Sequence, residues 1–400
     1  MKYKNISNSL YIKGRIGWKG LKKKEYLRKG DYRIINGSNI SNGKINWSDC
    51  GYITKQRYFE SPEIMLQKGD ILVTKDGTIG KVALVEDLVQ PSTIASGLFI
   101  VRNKDTDECD TLFLYYYLQT RKFKEFIHSR TEGSVIPHLY QKDFKEFKIP
   151  DISLANQRQI SSKLNYIQKK ITLNNQLNDN LMEQLENEFH NLFFESFNSK
   201  SFTLSSLVIE TIAGDWGKTT LQKNFDTKTT IIRGTDFQDI TMGRSSNAPT
   251  RYVKKKNLIN KELQQSDVVV EISGGSPTQS TGRSLLITNE IKNSFKLPIL
   301  GTNFTRTFKT ENLENAILLK SYLQFLYLKR LFFNYENGTT GIKNLDYKNV
   351  LNIKLPDVRT NKLFKNYIKK YILFYKFIIK LGKQNKTLES IKDAFLKLYF

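Results

Sequence analysis

An internal repeat constrains this chain more than any other feature, because the second half follows the pattern of the first about 200 residues later. Residues 33–40 (RIINGSNI) align with residues 230–237 (TIIRGTDF), and residues 67–73 (QKGDILV) align with residues 264–270 (QQSDVVV). Apolar positions match, whereas the polar residues between them mostly differ. The repeat therefore predicts one fold used twice, with two different surfaces.

Each half has the same order of segments. A unit of ordinary domain size, about 150 residues, carries short β-branched runs followed by glycine-containing turns, which predicts a strand-rich domain. A helix rich in tyrosine and leucine is predicted late in each unit, over residues 111–128 and 315–333. A proline break comes next, since the residue before proline disfavours helix, and a long helix follows. The predicted segments are 1–150, 151–198, 199–356 and 357–400.

The two long helices carry apolar residues at alternating spacings of three and four. In the first helix these include Ile160, Leu164, Ile167 and Ile171. This seam indicates a coiled coil with a partner helix, and such lengths give rods of roughly 50–60 Å. Polar residues interrupt both seams, at 174–176 (NNQ) and at 382–385 (GKQN).

Charge favours pairing of the two helices with each other. Residues 151–200 contain five basic and six acidic residues, whereas residues 357–400 contain eleven basic and three acidic residues. The acids of the first helix lie mainly in its second half, so an antiparallel pair would bring 183–195 towards 359–370. The alternative is that each helix packs on its own domain. We expect the antiparallel pair, and hence an α+β chain of two similar domains related by a pseudo-two-fold repeat.

The overall composition excludes several classes of protein. With 400 residues, 39% of them hydrophobic, the chain can bury real cores, which excludes a wholly disordered protein. No apolar run approaches the roughly 20 residues needed to cross a bilayer, and the first fifteen residues lack the apolar core of a signal peptide. Cys50 and Cys109 are the only cysteines, and they cannot make a disulfide framework or a four-ligand zinc site. We therefore expect two reduced thiols in a cytosolic protein that binds no membrane.

Charge points to a polyanionic partner. The chain has 63 Lys and Arg against 39 Asp and Glu, a formal net charge of +24. The basic residues are spread along the sequence with aromatic residues among them, as in 13–33 and 251–261. This pattern is typical of nucleic-acid binding, in which cations meet phosphates and rings pack on bases or sugars. A lysine-rich composition inherited from an A·T-biased genome is the alternative.

The sequence offers no set of residues that predicts catalysis. Its three histidines, His128, His138 and His190, are few for a metal or triad enzyme. The glycine stretches at 76–81 and 274–283 lack the spacing of a phosphate-binding loop. Asp267 and Glu271 lie on one predicted strand, but the second carboxylate is not repeated in the first half.

Three segments in order resemble a known family. They are 69–81 (GDILVTKDGTIGK), 133–139 (GSVIPHL) and 149–160 (IPDISLANQRQI), and each has an echo in the second half. Together they resemble the specificity (S) subunits of type I restriction–modification enzymes over essentially the whole chain. The start of the second long helix, 355–362 (LPDVRTNK), departs from the family because it lacks the Gln-Arg pair.

The resemblance implies a division of labour. Two target recognition domains, separated by the helical pair, would each read half of a bipartite, asymmetric sequence in double-stranded DNA. The helices would fix the unread spacer and dock two methyltransferase subunits, which carry S-adenosylmethionine. Restriction (motor) subunits would carry ATP and Mg²⁺. The S chain itself would be non-catalytic, without cofactor or metal, in a bacterial or archaeal cytoplasm.

Residue type and loop position select candidate DNA contacts, since Arg, Asn, Gln, Ser and Thr read base edges and lysines bind phosphates. In the first domain they are Lys13, Arg15, Trp18, Lys19, Lys75, Thr78, Lys81, Ser134 and His138. In the second domain they are Trp216, Lys218, Arg233, Arg244, Ser276, Gln279, Arg283 and Lys343. Two other functions stay open from the residues alone: a self-contained nuclease with an unfamiliar site, and a basic coiled-coil scaffold for nucleic acid.

Overall fold

The computed structural model describes residues 2–16, 20–131, 138–244, 246–276, 278–338 and 342–400. Their contacts divide the chain into two units. Unit 1 comprises residues 1–169 and 389–400, and unit 2 comprises residues 170–388. Each long helix therefore contributes residues to both units, whereas the four predicted segments gave each long helix a segment of its own.

Unit 1 is built from short strands and three helices before the first long helix. Its strands are β1 (Tyr3–Asn5), β2 (Leu10–Gly14), β3 (Tyr32–Ile35), β4 (Ile40–Ser41), β5 (Lys44–Ile45), β6 (Gly51–Ile53), β7 (Ile71–Thr74), β8 (Val82–Leu84), β9 (Ser92–Ile94), β10 (Leu98–Asn103) and β11 (Lys148–Pro150). Its helices are α1 (Lys55–Phe59), α2 (Thr111–Tyr117) and α3 (Arg121–Thr131), and the long helix is α4 (Leu154–Glu195).

Unit 2 has the same mixture of short strands and helices. Its strands are β12 (Ser201–Thr203), β13 (Glu210–Ala213), β14 (Thr227–Ile232), β15 (Thr250–Val253), β16 (Val268–Glu271), β17 (Ser273–Gly274), β18 (Ser284–Leu286), β19 (Ile299–Gly301), β20 (Thr305–Lys309), β21 (Glu336–Asn337), β22 (Lys343–Leu345) and β23 (Lys354–Pro356). Its helices are α5 (Phe237–Thr241), α6 (Lys255–Lys261), α7 (Asn289–Lys292), α8 (Leu313–Leu328), α9 (Tyr347–Leu351) and the long α10 (Phe364–Tyr399).

Strand order confirms that the two units share one fold. Unit 1 has an antiparallel sheet in the order β2-β10-β7-β8, and unit 2 has β13-β20-β16-β18 in the equivalent order. The three-stranded sheets β6-β3-β9 and β15-β14-β19 also match, including a parallel pair in each. The terminal pairs β1-β11 and β12-β23 complete the correspondence. The predicted α+β fold class with an internal repeat is therefore confirmed.

A buried aspartate recurs at the start of the central strand in both units. Asp70 is 0% exposed and Asp267 is 2% exposed. Each accepts a 2.7 Å hydrogen bond from the backbone N–H of the residue three positions earlier, and each pairs with a cation, Arg102 or Lys309. Burial raises the pKa of Asp267, and the bonds from Gln264 and Lys309 oppose that rise. A buried carboxylate is tolerated here because it is paired and hydrogen-bonded.

Aromatic residues fill the cores beside the late helices. In unit 1, Phe113 and Tyr117 of α2 pack on Phe400, with ring centroids 5.0 and 5.5 Å apart. In unit 2, Phe189 of α4 meets Tyr322 of α8 edge to face at 4.9 Å. These rings explain the tyrosine- and leucine-rich sequences of the late helices, because large apolar surfaces stabilise the fold when they are buried.

The late helices differ from the sequence prediction at their ends. Residues 111–128 form two helices instead of one, because the N–H groups of Gln119 and Thr120 donate at 3.0 Å to the carbonyls three residues earlier and so end α2 with a tighter turn. The second late helix ends at Leu328. Arg330 then adopts a left-handed conformation with φ +59°, which an α-helix cannot continue.

The long helices pair with each other in antiparallel orientation. Within unit 2, Lys370 of α10 lies 2.5 Å from Glu188 of α4, and Asn361 donates to Glu195 at 2.9 Å. Within unit 1, Lys392 donates to Gln168 at 2.8 Å. Partners later in α4 are thus earlier in α10. The predicted antiparallel coiled coil is confirmed, including the approach of 183–195 to 359–370.

The polar interruptions of the two seams meet each other in unit 2. Asn174 donates to Gln384 at 3.0 Å and to Asn385 at 2.8 Å, while Asn385 donates to Asn175 at 3.1 Å. Asn174 and Asn385 are 3% and 4% exposed. We call these four residues the polar layer. They bond to one another inside the seam, where buried Asn178 also donates to the carbonyl of Ile378 at 3.3 Å.

Candidate nucleic-acid interface

The loop between β7 and β8 in unit 1 holds three of the predicted contacts, Lys75, Thr78 and Lys81. The hydroxyl of buried Thr74 donates to the carbonyl of Thr78 at 2.6 Å and accepts from the N–H of Lys81 at 2.9 Å. Gly77 and Gly80 supply the positive φ angles, 65° and 84°, that this tight turn requires. The loop is therefore held by its own hydrogen bonds, with Thr78 exposed at its tip.

A second segment completes this cluster in unit 1. The backbone N–H of Leu139 donates to the carbonyl of Lys75 at 3.1 Å, and Nδ1 of His138 bonds to Asp76. The Lys81 ammonium lies 3.4 Å from the carbonyl of Gly37. The structure thus brings Lys75, Thr78, Lys81 and His138 together, and we call them loop cluster 1.

The equivalent loop of unit 2, between β16 and β18, is fixed by an ion pair. Nε and Nη2 of Arg283 donate to the two carboxylate oxygens of Glu271 at 2.8 and 2.6 Å. These hydrogen bonds hold the pKa of Arg283 above its usual value. A side chain at Gly234 would place its Cβ 2.3 Å from Glu271, so glycine is needed there. Glu271 stands where unit 1 has Thr74, so the same position is anchored by different chemistry.

The remaining predicted contacts of this loop are Lys343 and the pair Ser276 and Gln279, which a 2.7 Å backbone hydrogen bond joins. Lys343 lies 3.1 Å from Glu336, which also accepts from the N–H of Thr281 at 2.6 Å. Gln279 is exposed and donates to the hydroxyl of Tyr327 at 3.2 Å. The N–H of Leu345 donates to the carbonyl of Ile272 at 2.9 Å, the counterpart of the Leu139 bond in unit 1. Ser276, Gln279, Arg283 and Lys343 are therefore brought together as loop cluster 2.

A second region of unit 2 combines cations with aromatic rings. The Arg251 guanidinium lies 4.1 Å from the centre of the Trp216 ring, and Trp216 is 38% exposed. The ammonium groups of Lys218 and Lys254 lie 5.6 and 5.3 Å from the ring of Phe225. We call these five residues the basic aromatic surface. Cations beside exposed rings suit a phosphate backbone with bases or sugars next to it.

Arg233 and Arg244 pair with acidic side chains, whereas the cations of the basic aromatic surface lie beside rings. Nε and Nη2 of Arg233 donate to the carboxylate of Asp236, both at 2.9 Å. These bonds hold the pKa of Arg233 above its usual value. Nη1 of Arg244 lies 4.0 Å from a carboxylate oxygen of Asp239. Both guanidinium groups are thus partly neutralised by acids on α5 or just before it.

Two predicted contacts in unit 1 lie near β2. Arg15 is 2% exposed, and its guanidinium donates to the carbonyl of Ile94 at 3.1 Å and to the hydroxyls of Thr93 and Ser61 at 3.4 Å. Burial lowers the pKa of Arg15. These bonds hold the Arg15 guanidinium inside unit 1, where it supports the fold. Lys13 is half-buried, with its ammonium 6.0 Å from the ring of Tyr11.

Three of the predicted contacts, Trp18, Lys19 and Ser134, lie outside the residues that the structure describes. Sequence reasoning missed several residues that the structure adds. They are Arg251, Phe225 and Lys254 in unit 2, and Arg33 in unit 1, whose guanidinium lies 5.6 Å from Trp47 and 5.7 Å from Tyr52. The basic run 251–261 was the available signal, but its contacts depend on strand pairing that the sequence does not display.

The described part of the chain has few side chains placed to bind a metal ion or to act as a nucleophile. No group of three or more His, Cys, Asp or Glu side chains there could hold a metal ion. Cys50 and Cys109 are buried and unbridged, and burial raises the pKa of their thiols to about 11 and about 12. No described helix is long and apolar enough to span a bilayer.

The long helices leave apolar side chains on the surface of unit 2. On α4, Leu173 is 59% and Leu177 is 41% exposed. On α10, Leu373 is 62% and Phe377 is 45% exposed. Each pair is spaced four residues apart, so its members lie on one face of their helix. Exposed apolar residues grouped on a helix face are typical of surfaces that bind another protein.

Comparisons with known proteins agree with the resemblance noted in the sequence. Residues 16–183 match the type I restriction modification DNA specificity domain. The type I restriction enzyme MjaVIII specificity subunit of Methanocaldococcus jannaschii is 31% identical over 179 residues, which are 44% of this chain and 40% of that protein. The aligned stretch therefore spans less than half the length of that relative.

A solved structure shares the fold of the whole chain. The type-I restriction-modification system S subunit from M. genitalium has a TM-score of 0.58 at 18% identity, covering 99% of this chain and 95% of that one. At this identity the likeness concerns the fold alone. Together with the domain matched over residues 16–183, this shared fold confirms the resemblance to the specificity subunits of type I restriction–modification systems.

Proposed function

We propose that this chain selects the DNA target of a type I restriction–modification complex, with each unit reading one half of a bipartite, asymmetric sequence. The observation that carries the proposal is the duplicated fold with different chemistry at equivalent loop positions. Thr74 anchors the loop in unit 1, where a Glu271–Arg283 pair anchors it in unit 2. Two copies of one scaffold with different polar side chains are suited to two different base sequences.

The loop clusters and the basic aromatic surface are the proposed DNA contacts. Loop clusters 1 and 2 offer hydroxyl, amide, imidazole and guanidinium groups that can bond to base edges. The basic aromatic surface offers cations for phosphates, and the net charge of +24 adds the salt-sensitive, sequence-independent part of binding. Rigid loops favour this role, because less conformational freedom is lost when they meet the groove.

We propose that α4 and α10 fix the length of the unread spacer. Because both DNA-binding units belong to one chain, the second unit binds DNA intramolecularly once the first is bound. Affinity therefore rises without a new type of contact. The duplex repeats about every 34–36 Å, and a helical spacer of constant length would select one half-site separation. The polar layer supports this role, because buried asparagines fix the register of paired helices.

The exposed apolar residues of the long helices are the proposed docking surface for methyltransferase subunits. Leu173 and Leu177 on α4, with Leu373 and Phe377 on α10, would be buried on docking. The methyltransferase subunits would supply S-adenosylmethionine and the reaction itself, and restriction subunits would supply ATP hydrolysis with Mg²⁺. This chain would act without catalysing a step, in the cytoplasm of a bacterium or archaeon.

The two alternative functions have less support. A nuclease needs clustered carboxylates for metal ions, and the carboxylates of Asp267 and Glu271 are each held by a cation, Lys309 or Arg283. A scaffold for nucleic acid of any sequence would not need the ordered loops of clusters 1 and 2. Neither alternative accounts for the matched specificity domain.

Mapping methylated adenines in DNA from cells that express the chain with its methyltransferase partner tests the proposal. We expect one motif made of two short sequences separated by a spacer of constant length. Substitution Gln279→Ala in loop cluster 2 should relax one half of the motif, and Thr78→Ala in loop cluster 1 should relax the other half. Lys348→Ala, at an exposed lysine of α9, is the control and should leave the motif unchanged.

Two results would contradict the proposal. One is a single uninterrupted motif that both substitutions alter alike. The other is cleavage or methylation of DNA by the purified chain alone in the presence of Mg²⁺ and S-adenosylmethionine, since that would make the chain an enzyme.

A further inference from the structure

Unit 2 contains a pocket among α4, α8 and α10 that the proposed function does not use. Its volume is about 180 Å³. Leu185, Phe189, Phe325 and Tyr371 give it largely apolar walls, and Lys320 lies in its lining. An apolar pocket with a few converging polar groups is the usual form of a small-molecule site.

Hydrogen bonds hold the buried ammonium of Lys320, a residue of the pocket lining, in place. Lys320 is 4% exposed and donates to the hydroxyl of Ser284 at 3.1 Å and to Oε1 of Gln324 at 2.8 Å. Gln324 in turn donates to Glu186 at 3.0 Å. An ammonium has three N–H groups, and these two bonds, counted among the described residues, use two of them.

The duplicated fold provides an internal comparison. Strand registers place Ser284 opposite Val270, as Val82 lies opposite Val73 in unit 1. The alignment of Tyr116 with Tyr322 in the late helices places Leu114 where unit 2 has Lys320, and Leu118 where unit 2 has Gln324. Val82, Leu114 and Leu118 are at most 4% exposed. The fold therefore forms with apolar residues at all three positions, and it does not require the lysine.

Burying an ammonium is unfavourable unless another group compensates for its lost hydration. The charged groups of the pocket lining are Lys320 and Lys329 against Glu186, with His190 beside Lys329 at 3.3 Å. The positive groups thus outnumber the carboxylate. Gln324 separates Glu186 from Lys320, so the lysine has no direct carboxylate partner among the described residues.

We propose that this pocket binds a small organic monoanion, a carboxylate with an apolar or aromatic body, and that the Lys320 ammonium pairs with the carboxylate. The aromatic walls contact the body of the ligand, and the remaining N–H of Lys320 donates to the carboxylate. One buried ammonium suits a single negative charge, whereas a phosphate dianion needs more donors than the pocket supplies. A cavity of about 150 Å³ accommodates a benzene ring, so a ligand with one ring fits this volume.

Isothermal titration calorimetry of the full chain with benzoate tests the proposal, with neutral benzamide as the comparison ligand. We expect benzoate to bind the wild type, and benzamide to bind about tenfold more weakly or worse, because charge-assisted hydrogen bonds are the stronger ones. Lys320→Met keeps an unbranched side chain that is one atom shorter and removes the charge, so it should weaken benzoate binding by about tenfold or more. Lys348→Met, at an exposed lysine of the same unit, should bind as the wild type does.

The pH dependence gives a second readout. Burial lowers the pKa of Lys320 to about 8, while it raises the pKa values of Glu186, Tyr367 and Tyr371, which also line the pocket. Benzoate affinity should therefore fall above pH 8 as Lys320 loses its proton. Absence of benzoate binding at millimolar concentration, or equal affinity of the wild type and Lys320→Met, would overturn the proposal. A thermal melt of Lys320→Met shows whether that variant is folded.

Discussion

Single residues show how differently a basic side chain can be used in this protein. Arg15 and Lys320 are buried and donate to groups inside the protein, whereas Arg251 lies against the partly exposed ring of Trp216. All three are cations in the sequence, so composition alone assigns them one role. Burial and partners, which depend on the folded chain, separate the structural cations from those able to meet a phosphate.

Lys320→Met should stabilise the protein. Burial of the charged ammonium is unfavourable, as its lowered pKa indicates, and unit 1 already has Leu114 at the equivalent position. Urea unfolding at pH 7 measures the change in the free energy of unfolding. A destabilised variant would mean that Ser284 and Gln324, left without the lysine, dominate the balance.

The gain in the free energy of unfolding that Lys320→Met brings should also depend on pH. The pKa of Lys320 is about 8 in the folded chain and about 10.4 in an unfolded chain. Between these values the unfolded state binds more protons, so wild-type stability rises with pH. The difference between variant and wild type should therefore be largest below pH 8 and shrink towards pH 10. A difference that is constant over this range would contradict the lowered pKa.

Arg251→Ala should weaken DNA binding by about tenfold, because it removes a phosphate-binding cation and the contact that orders Trp216. Fluorescence anisotropy with a labelled target duplex, in the presence of the methyltransferase partner, measures the loss. Arg121→Ala is the matched control, since Arg121 is an arginine with a 91% exposed side chain on α3. Equal losses in both variants would remove the basic aromatic surface from the proposed interface.

At the scale of elements, the repeat and the long helices could be predicted because apolar periodicity reports directly on strands and helices. The break between α2 and α3 could not be predicted, since it depends on a local change of backbone hydrogen bonding at Gln119 and Thr120. The loops that form clusters 1 and 2 were identified from glycine and residue type. The Glu271–Arg283 pair inside cluster 2 depends on two strands meeting across a twelve-residue loop, so pattern reasoning identified Arg283 but not its partner.

Gly382→Ala should destabilise the protein, although alanine normally favours helix over glycine by about 1 kcal/mol. A Cβ at position 382 of α10 would lie 2.2 Å from the carbonyl oxygen of Met242. Overpacking of this kind costs about 1–3 kcal/mol. Thermal unfolding measures the change, and Ala substitution of exposed Lys383, the next residue of the helix, is the control. A more stable Gly382→Ala protein would show that the backbone at Met242 can move away.

The polar layer should show strong coupling between its members. Asn174→Leu alone leaves Asn385 with fewer partners in an apolar seam, which costs about 1–3 kcal/mol. Asn385→Leu does the same to Asn174. The double variant buries two leucines and should be less destabilised than the sum of the single variants. A double-mutant cycle by urea unfolding measures the coupling, and additive effects would mean that the two asparagines do not depend on each other.

For the whole molecule, the number of basic groups that reach DNA phosphates sets the salt dependence of binding, and the net charge of +24 makes such groups abundant. We expect the logarithm of the association constant to fall linearly with the logarithm of salt concentration, with a slope of about −0.9 for each phosphate neutralised. Lys218→Ala and Lys254→Ala should each reduce the slope by about one unit if each lysine neutralises one phosphate. Unchanged slopes would indicate that these lysines do not reach the backbone.

Both native thiols are buried and unbridged, which has a practical consequence. Thiolates are the form that reacts with alkylating reagents, and the raised pKa values of Cys50 and Cys109 keep both residues protonated at neutral pH. A cysteine introduced at an exposed position should thus take up a maleimide dye without removal of the native ones. Pairs of such dyes would allow single-molecule fluorescence to follow the chain while it searches for and engages its target.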